Sequence, residues 1–340
     1  MIDDGVGMAM LGPTSADANG KDFTDAKGRR WKALGKIVPI EINVAETEKQ
    51  RRNARDYPPP GPDPLTLSRE ELAVMLRPVR FVGEFGYQLD EPDYLAADRI
   101  LEMKVVPNTE GDLGNSSAFA RFIIGADDRS RVGNPWAYPG CSCAHLAPQN
   151  CTATMIGPST AHCAAHCFHD GDNWIASRSI TFGANTEAPT APVGSFLADS
   201  LTFPSAWLDG TPANPNWDWD FAVLEFSPSR PDIGRQTGWH GTGENFNGAK
   251  SVIGYPIDKP IPQQWLKGGA FTSVVGGRYR HNLDIVPGDS GAAAYGNGDD
   301  RSNGIQSTQW RSGTAIWNEV RKWDATTYNF FRAYGNWPRP

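Results

Sequence analysis

The chain has 340 residues, 39% of them hydrophobic and 21% charged, which is enough apolar content to bury a core and too little charge for a disordered polymer. A formal charge of −7 argues against a nucleic-acid footprint, which needs clustered Lys and Arg. No segment approaches the about 18 consecutive apolar residues of a membrane-spanning helix, so a soluble protein of two or three compact units is expected, with neither nucleic acid nor membrane as partner.

In chain order, the start Met1-Ile2-Asp3-Asp4-Gly5 is acidic and shows no positive region followed by an apolar core, so no secretory signal is visible. The short basic runs Gly28-Arg29-Arg30 and Lys49-Gln50-Arg51-Arg52 read as solvated or protease-sensitive. Tyr57-Pro58-Pro59-Pro60-Gly61-Pro62-Asp63-Pro64 must be extended, because each proline fixes φ and removes a donor. Ser68-Arg69-Glu70-Glu71 has the form of a capping box and predicts a short helix through Leu72, Met75 and Leu76; Tyr94 to Met103 predicts a second. After Phe122 the pattern changes to short alternating strands, such as Phe221-Ala222-Val223-Leu224-Glu225-Phe226 and Ser251-Val252-Ile253, separated by Gly, Pro, Asn and Asp. That spacing predicts an all-β barrel or sandwich. From Asn318 to Phe331 the apolar residues fall loosely at helical spacing.

Three segments carry chemistry. Pro287-Gly288-Asp289-Ser290-Gly291 presents a serine between Gly-Asp and Gly. A serine hydroxyl is too weak a nucleophile alone, so the motif demands a histidine to take its proton and a buried carboxylate to orient that histidine. Cys163-Ala164-Ala165-His166-Cys167 and Asp218-Trp219-Asp220-Phe221-Ala222-Val223-Leu224 supply both. Asp220 is preferred to Asp218 because the apolar strand that would bury it follows directly. Gly288 permits a tight turn in which its N–H and that of Ser290 can face a developing oxyanion. A metal site competes for the same region, since His162-Cys163-Ala164-Ala165-His166-Cys167-Phe168-His169 with Cys141-Ser142-Cys143 is rich in soft ligands, although the spacings fit no common zinc finger.

The order histidine, aspartate, serine is that of one hydrolase class. It is accompanied in sequence by Ile123-Ile124-Gly125-Ala126-Asp127-Asp128-Arg129, Cys151-Thr152-Ala153-Thr154-Met155-Ile156-Gly157-Pro158, Gly254-Tyr255-Pro256-Ile257-Asp258-Lys259, Gln264-Trp265 and Gly304-Ile305-Gln306-Ser307. From about Phe122 to the C-terminus the sequence thus resembles the chymotrypsin/trypsin-like serine endopeptidases, nearest their glutamyl endopeptidase branch.

The resemblance implies an all-β fold of two six-stranded antiparallel β-barrels with a C-terminal helix. Residues 122–231 would form the first barrel, carrying His166 and Asp220, and residues 232–340 the second barrel, carrying Ser290, and the helix. It implies catalysis by His166, Asp220 and Ser290, an oxyanion hole from Gly288 and Ser290, and a specificity pocket from Asp284, Ile285, Gln306 and Ser307, with the Ser307 hydroxyl on Asp220. It further implies a bridge between Cys151 and Cys167, and hence an oxidising, extracellular destination. Cys141, Cys143 and Cys163 can form at most one more bridge. No cofactor or metal is required; the partners are polypeptide substrates and the enzyme is a monomer. Residues 1–121 read as an N-terminal extension with short helices, either a propeptide cleaved after Arg121, making the protein a zymogen, or an attached accessory domain.

Several positions depart from the family pattern. Gly291-Ala292-Ala293-Ala294 replaces the usual Gly-Gly-Pro continuation, and His162 and Cys163 stand where Leu and Thr are usual. Gln306 occupies the place of a histidine that helps the glutamyl branch bind Glu, so the preferred P1 residue stays open. These substitutions keep a second reading alive, a catalytically impaired protease-fold binding protein. Asp289 is expected to be neutralised by a freed amine at Phe122, or else to be solvated or bonded to backbone.

Overall fold

The structure is a computed structural model that describes residues 13, 17–37, 55–56, 63–103, 106, 127–169, 174–175, 179–185, 193–210, 216–226, 233–298, 300–312 and 315–335. Six antiparallel strands close on themselves in the C-terminal half. Their order is Arg301–Ser312, Ala293–Gly296, Ala249–Gly254, Trp265–Val275, Arg278–His281 and Ala315–Lys322, the last pairing back to the first. Alternation explains the burial: along Trp265–Val275 the inward positions are Lys267, Gly269 and Phe271, and their neighbours are partly exposed. Val252, Phe271, Tyr279, Leu283, Ile285 and Val320 fill this barrel.

The other sheet runs through Ser179–Phe182, Cys143–Ala147, Cys151–Met155, Thr160–Cys163, Ala222–Glu225 and Ser200–Pro204. Ser195–Leu197 pairs with Ser179–Phe182 and is separated from Ser200–Pro204 only by Ala198 and Asp199, so one run of chain serves both ends of the path. The all-β fold and a C-terminal helix agree with expectation, but the helix is Ala325–Tyr334; Asn318 to Lys322, expected at helical spacing, belong instead to the strand Ala315–Lys322, which closes the barrel.

The extension differs from a loosely attached arm. Both predicted helices are present: Arg69–Met75, with Ser68 and Glu71 forming the capping box, and Tyr94–Glu102. Between them Pro78–Val82 adds to the sheet beside Ser200–Pro204, in register Ser200↔Val82 to Pro204↔Pro78. Phe85–Leu89 and Arg30–Lys36 continue outward. Val79 and Phe81 join the first barrel's core, whereas Leu72, Leu76, Ala96 and Ile100 pack in a cluster with Phe330, Phe331 and Tyr334 of the C-terminal helix. Full burial of each large apolar side chain contributes about 1.5–3 kcal/mol. Arg80, inside this added strand, pairs with Glu225 across 3.2 Å, both buried. The Arg121–Phe122 junction lies outside the described residues, as do Tyr57 to Pro62. No helix among the described residues is long and apolar enough to cross a membrane.

Burial also sets an acid limit. It pushes His162 and His281 down to about 3 and His240 down to about 4. These folded values lie below the unfolded value of about 6.5, so the stability the neutral rings contribute is complete above pH ~6.5 and is lost as pH falls toward 3–4. At pH 5 each ring costs about 2 kcal/mol, which predicts a markedly lower urea midpoint at pH 5 than at pH 7. Equal midpoints would contradict it.

Candidate active site

Strand register brings the expected base and carboxylate together. Ala222 lies opposite Cys163. Asp220 precedes Ala222 by two positions and His166 follows Cys163 by three, so both leave the same edge of the pair. His166 is held in the short 3-10 turn Ala165–Cys167, and Asp220 caps the turn Trp217–Trp219. The contact is double: the His166 backbone N–H donates to Asp220 Oδ1 at 2.9 Å, and His166 Nδ1 lies 2.8 Å from Asp220 Oδ2. The Ser307 hydroxyl donates to the same Oδ2. Asp220 is fully buried, and three donors satisfy its carboxylate. The His166 ring is 15% exposed, with Trp217 edge-on at 5.9 Å and Trp207 at 6.5 Å between centroids. Its free nitrogen, Nε2, is therefore the one left for a reacting group.

Asp218 and His162 are placed elsewhere. Asp218 Oδ1 accepts from Arg278 Nε at 3.1 Å and from Gly277 N at 3.0 Å; burial raises its pKa, against the pull of Arg278. His162 is fully buried beside Ser302 Oγ at 3.4 Å and meets Trp323 edge-on.

The Ser290 turn is docked onto the histidine side of the first barrel. Thr152 N donates to the Ser290 carbonyl at 2.8 Å, Gly291 N donates to Gln306 O at 2.7 Å, and Cys167 Sγ lies 3.8 Å from the Ser290 carbonyl. Gly288 has φ +101°, and a Cβ there would fall on the Tyr255 carbonyl; Gly291 has φ +87°, and a Cβ there would strike Thr152 O and Cys163 Sγ. Both positions thus require glycine. Thr152, which sequence reasoning passed over, braces the turn by donating its Oγ1 to Gly288 O at 2.9 Å and accepting from Tyr255 N at 3.1 Å. Among the described residues no hydrogen bond joins the Ser290 hydroxyl to His166. Gly291→Ala is expected to displace the turn and lower kcat/KM by about 100-fold, read by steady-state kinetics, because it forces the backbone off Thr152 and Cys163. A variant with wild-type kinetics would contradict that packing.

Cys151 and Cys167 form a disulfide with Cα atoms 6.3 Å apart. Cys141, Cys143 and Cys163 are buried thiols. The further bridge open to these three is not formed; Cys163 Sγ instead donates to Thr152 O at 3.2 Å behind Gly291. Burial raises all three thiols, Cys141 to about 11 and Cys143 to about 12. Cys151, His166 and Cys167 are the described group whose ligand atoms cluster, but the two sulfurs are spent on the bridge, so this set does not suit a metal.

The expected pocket residues differ in burial. Ile285 is buried, and its carbonyl accepts from Gln309 Nε2 at 3.3 Å. Gln306 is buried and its carboxamide is engaged: His281 Nε2 lies 2.9 Å from its Oε1, while Leu283 N donates to His281 Nδ1, so the ring presents Nε2–H to Gln306. Asp284 differs from a carboxylate at the base of a pocket. It is exposed and hydrogen-bonded with Asp128, and partial burial followed by Asp128 raises its pKa. Asp289 is bonded to backbone, one of the expected alternatives, and also to a lysine that was not expected: buried completely, it pairs through Oδ1 with Lys267 and accepts Val286 N at 3.1 Å through Oδ2.

No family model matches the chain. The glutamyl endopeptidase of Bacillus licheniformis is 29% identical over 189 residues, which is 54% of this chain and 57% of that protein, so the match spans little more than half of the relative's length. A solved Glu endopeptidase in complex with MPD superposes with TM-score 0.54 at 26% identity, covering 62% of this chain and 98% of the other. The closed barrel, the paired sheets and these likenesses agree: the chain is similar in sequence and fold to trypsin-like serine endopeptidases, among them the glutamyl endopeptidases.

Proposed function

We propose that the protein hydrolyses peptide bonds in polypeptide substrates through an acyl-enzyme on Ser290. The observation that supports this most is the buried Asp220 carboxylate, which takes the His166 N–H and ring nitrogen and the Ser307 hydroxyl at once and so leaves Nε2 as the ring nitrogen available to a reacting group. In this reading His166 Nε2 accepts the Ser290 proton as Oγ attacks the substrate carbonyl carbon. Asp220 holds the ring with its proton on Nδ1 and stabilises the imidazolium that forms. The carbonyl oxygen gains negative charge and is met by the N–H groups of Gly288 and Ser290. The C–N bond then breaks, and His166 returns the proton to the leaving amine. Water, deprotonated by the same nitrogen, releases the acid and restores Ser290.

Gln306 stands where the resemblance implies a histidine that helps bind Glu, and its carboxamide is taken up by His281 and the Glu319 carbonyl, so a P1 preference other than glutamate is part of the proposal. The Cys151–Cys167 bridge supports a secreted protein. In this reading Lys267 already supplies a cation to Asp289, so a new amine is not needed there. Digestion of a peptide library, with cleavage products sequenced, tests the activity. Cleavage that disappears in Ser290→Ala is expected; an undigested library would favour the binding-protein reading.

A further inference from the structure

Asp289 immediately precedes the proposed nucleophile, and its carboxylate is inside the protein. Gly254 makes room for it, since a Cβ at that position would collide with Oδ1. Both oxygens are taken, one by Lys267 and one by the Val286 N–H. Lys267 is itself fully buried on the strand Trp265–Val275, where alternation turns it inward beside Gly269 and Phe271. Two charges buried this deeply persist only as partners, because each alone would carry an uncompensated desolvation cost. A second cation arriving at the carboxylate would be such an unpaired charge.

Two further observations concern the chain upstream. Ser130–Arg131 is fixed as a strand beside Trp265 and Leu266, and Arg129 binds Asp258 at 2.6 Å, so the segment leading into the first barrel is already anchored next to the Lys267 strand. The described part of residues 23–103 is hydrogen-bonded into the first sheet through Pro78–Val82.

We propose that Lys267 is a positioning residue for the oxyanion-binding turn: its ammonium holds Asp289, and with it Gly288 and Ser290, so the uncut chain carries a formed site and residues 1–121 stay with the active protein. The inference rests on the Ser290 reading above and deepens it by naming how the site is set. Because the cation comes from a strand of the second barrel, cleavage at Arg121 has nothing to add at Asp289.

The test uses the purified full chain with a fluorophosphonate probe, intact mass of the adduct, and kcat and KM on a peptide substrate. Wild type is expected to label as the uncut chain, and limited cleavage after Arg121 is expected to leave its labelling rate within about two-fold. Lys267→Met is expected to lower kcat by about 100-fold with KM changed far less, the scale of losing an oxyanion donor. Adding Asp289→Asn to Lys267→Met should recover at least ten-fold of that loss, since it removes the stranded carboxylate; a lysine that served packing alone would show no such rescue. Three results would overturn the proposal: labelling confined to molecules cut after Arg121, wild-type kcat in Lys267→Met, or a folded double variant without rescue. The uncut wild-type arm decides the matter even if Lys267→Met fails to fold. A wild type that labels in neither cut nor uncut form would instead remove the Ser290 reading itself.

Discussion

Ser290→Ala and His166→Ala are each expected to lower kcat by about a million-fold with little change in KM, because each removes a group that acts only in the transition state. The two losses should not add, since without the base the hydroxyl is not activated and without the hydroxyl the base has no task. Asp220→Asn is expected to be milder, at about ten-thousand-fold. An amide in its place can accept from the His166 N–H but turns a donor toward Nδ1, which favours the wrong tautomer, and it leaves the Ser307 hydroxyl competing for the one remaining acceptor. Steady-state kinetics on a peptide ester, with a thermal melt to confirm folding, checks all three. An Asp220→Asn variant with wild-type kcat would contradict the assignment.

The second large effect concerns stability. Arg80→Ala is expected to destabilise the protein by about 3–5 kcal/mol, because it removes the Arg80 cation from the buried Glu225 at the end of the strand Ala222–Glu225. Arg80→Met combined with Glu225→Gln removes both charges and should recover most of that loss. Urea denaturation measures each. The result matters beyond one ion pair: Arg80 belongs to the extension and Glu225 to the first barrel, in the strand that starts just after Asp220. A negligible effect would mean that the added strand is dispensable to the barrel, as expected of a removable propeptide.

These two cases also show what the sequence could and could not convey. His166, Asp220 and Ser307 were readable because each sits in a short run whose neighbours define its place: a cysteine after the histidine, an apolar strand after the aspartate, a Gly-Ile-Gln before the serine. The helices at Arg69–Met75 and Tyr94–Glu102 were readable for a similar reason, since capping and helical spacing are local properties. Pro78–Val82 was not, because its partner Ser200–Pro204 lies more than a hundred residues away and nothing in a run of five residues names its neighbour. Lys267 was hidden by the ordinary meaning of a lysine in a strand, a solvated side chain; only the pleat direction and the buried Asp289, 22 residues on, give it a role. Asp284 misled in the opposite sense. Its spacing from Ser290 suggested a pocket, yet its carboxyl meets Asp128 at the surface, a contact between segments far apart in sequence. Burial of ionisable groups is decided by such non-local pairings, which local motifs do not reveal.

The most direct measurement is peptide mapping by mass spectrometry of the full chain after reaction with a fluorophosphonate probe at neutral pH. The expected result is one adduct per chain, on Ser290, absent from Ser290→Ala and strongly slowed in Asp220→Asn. Failure of the folded protein to form an adduct, or an adduct on a different residue, would contradict the convergence of Ser290, His166 and Asp220 into one reacting site.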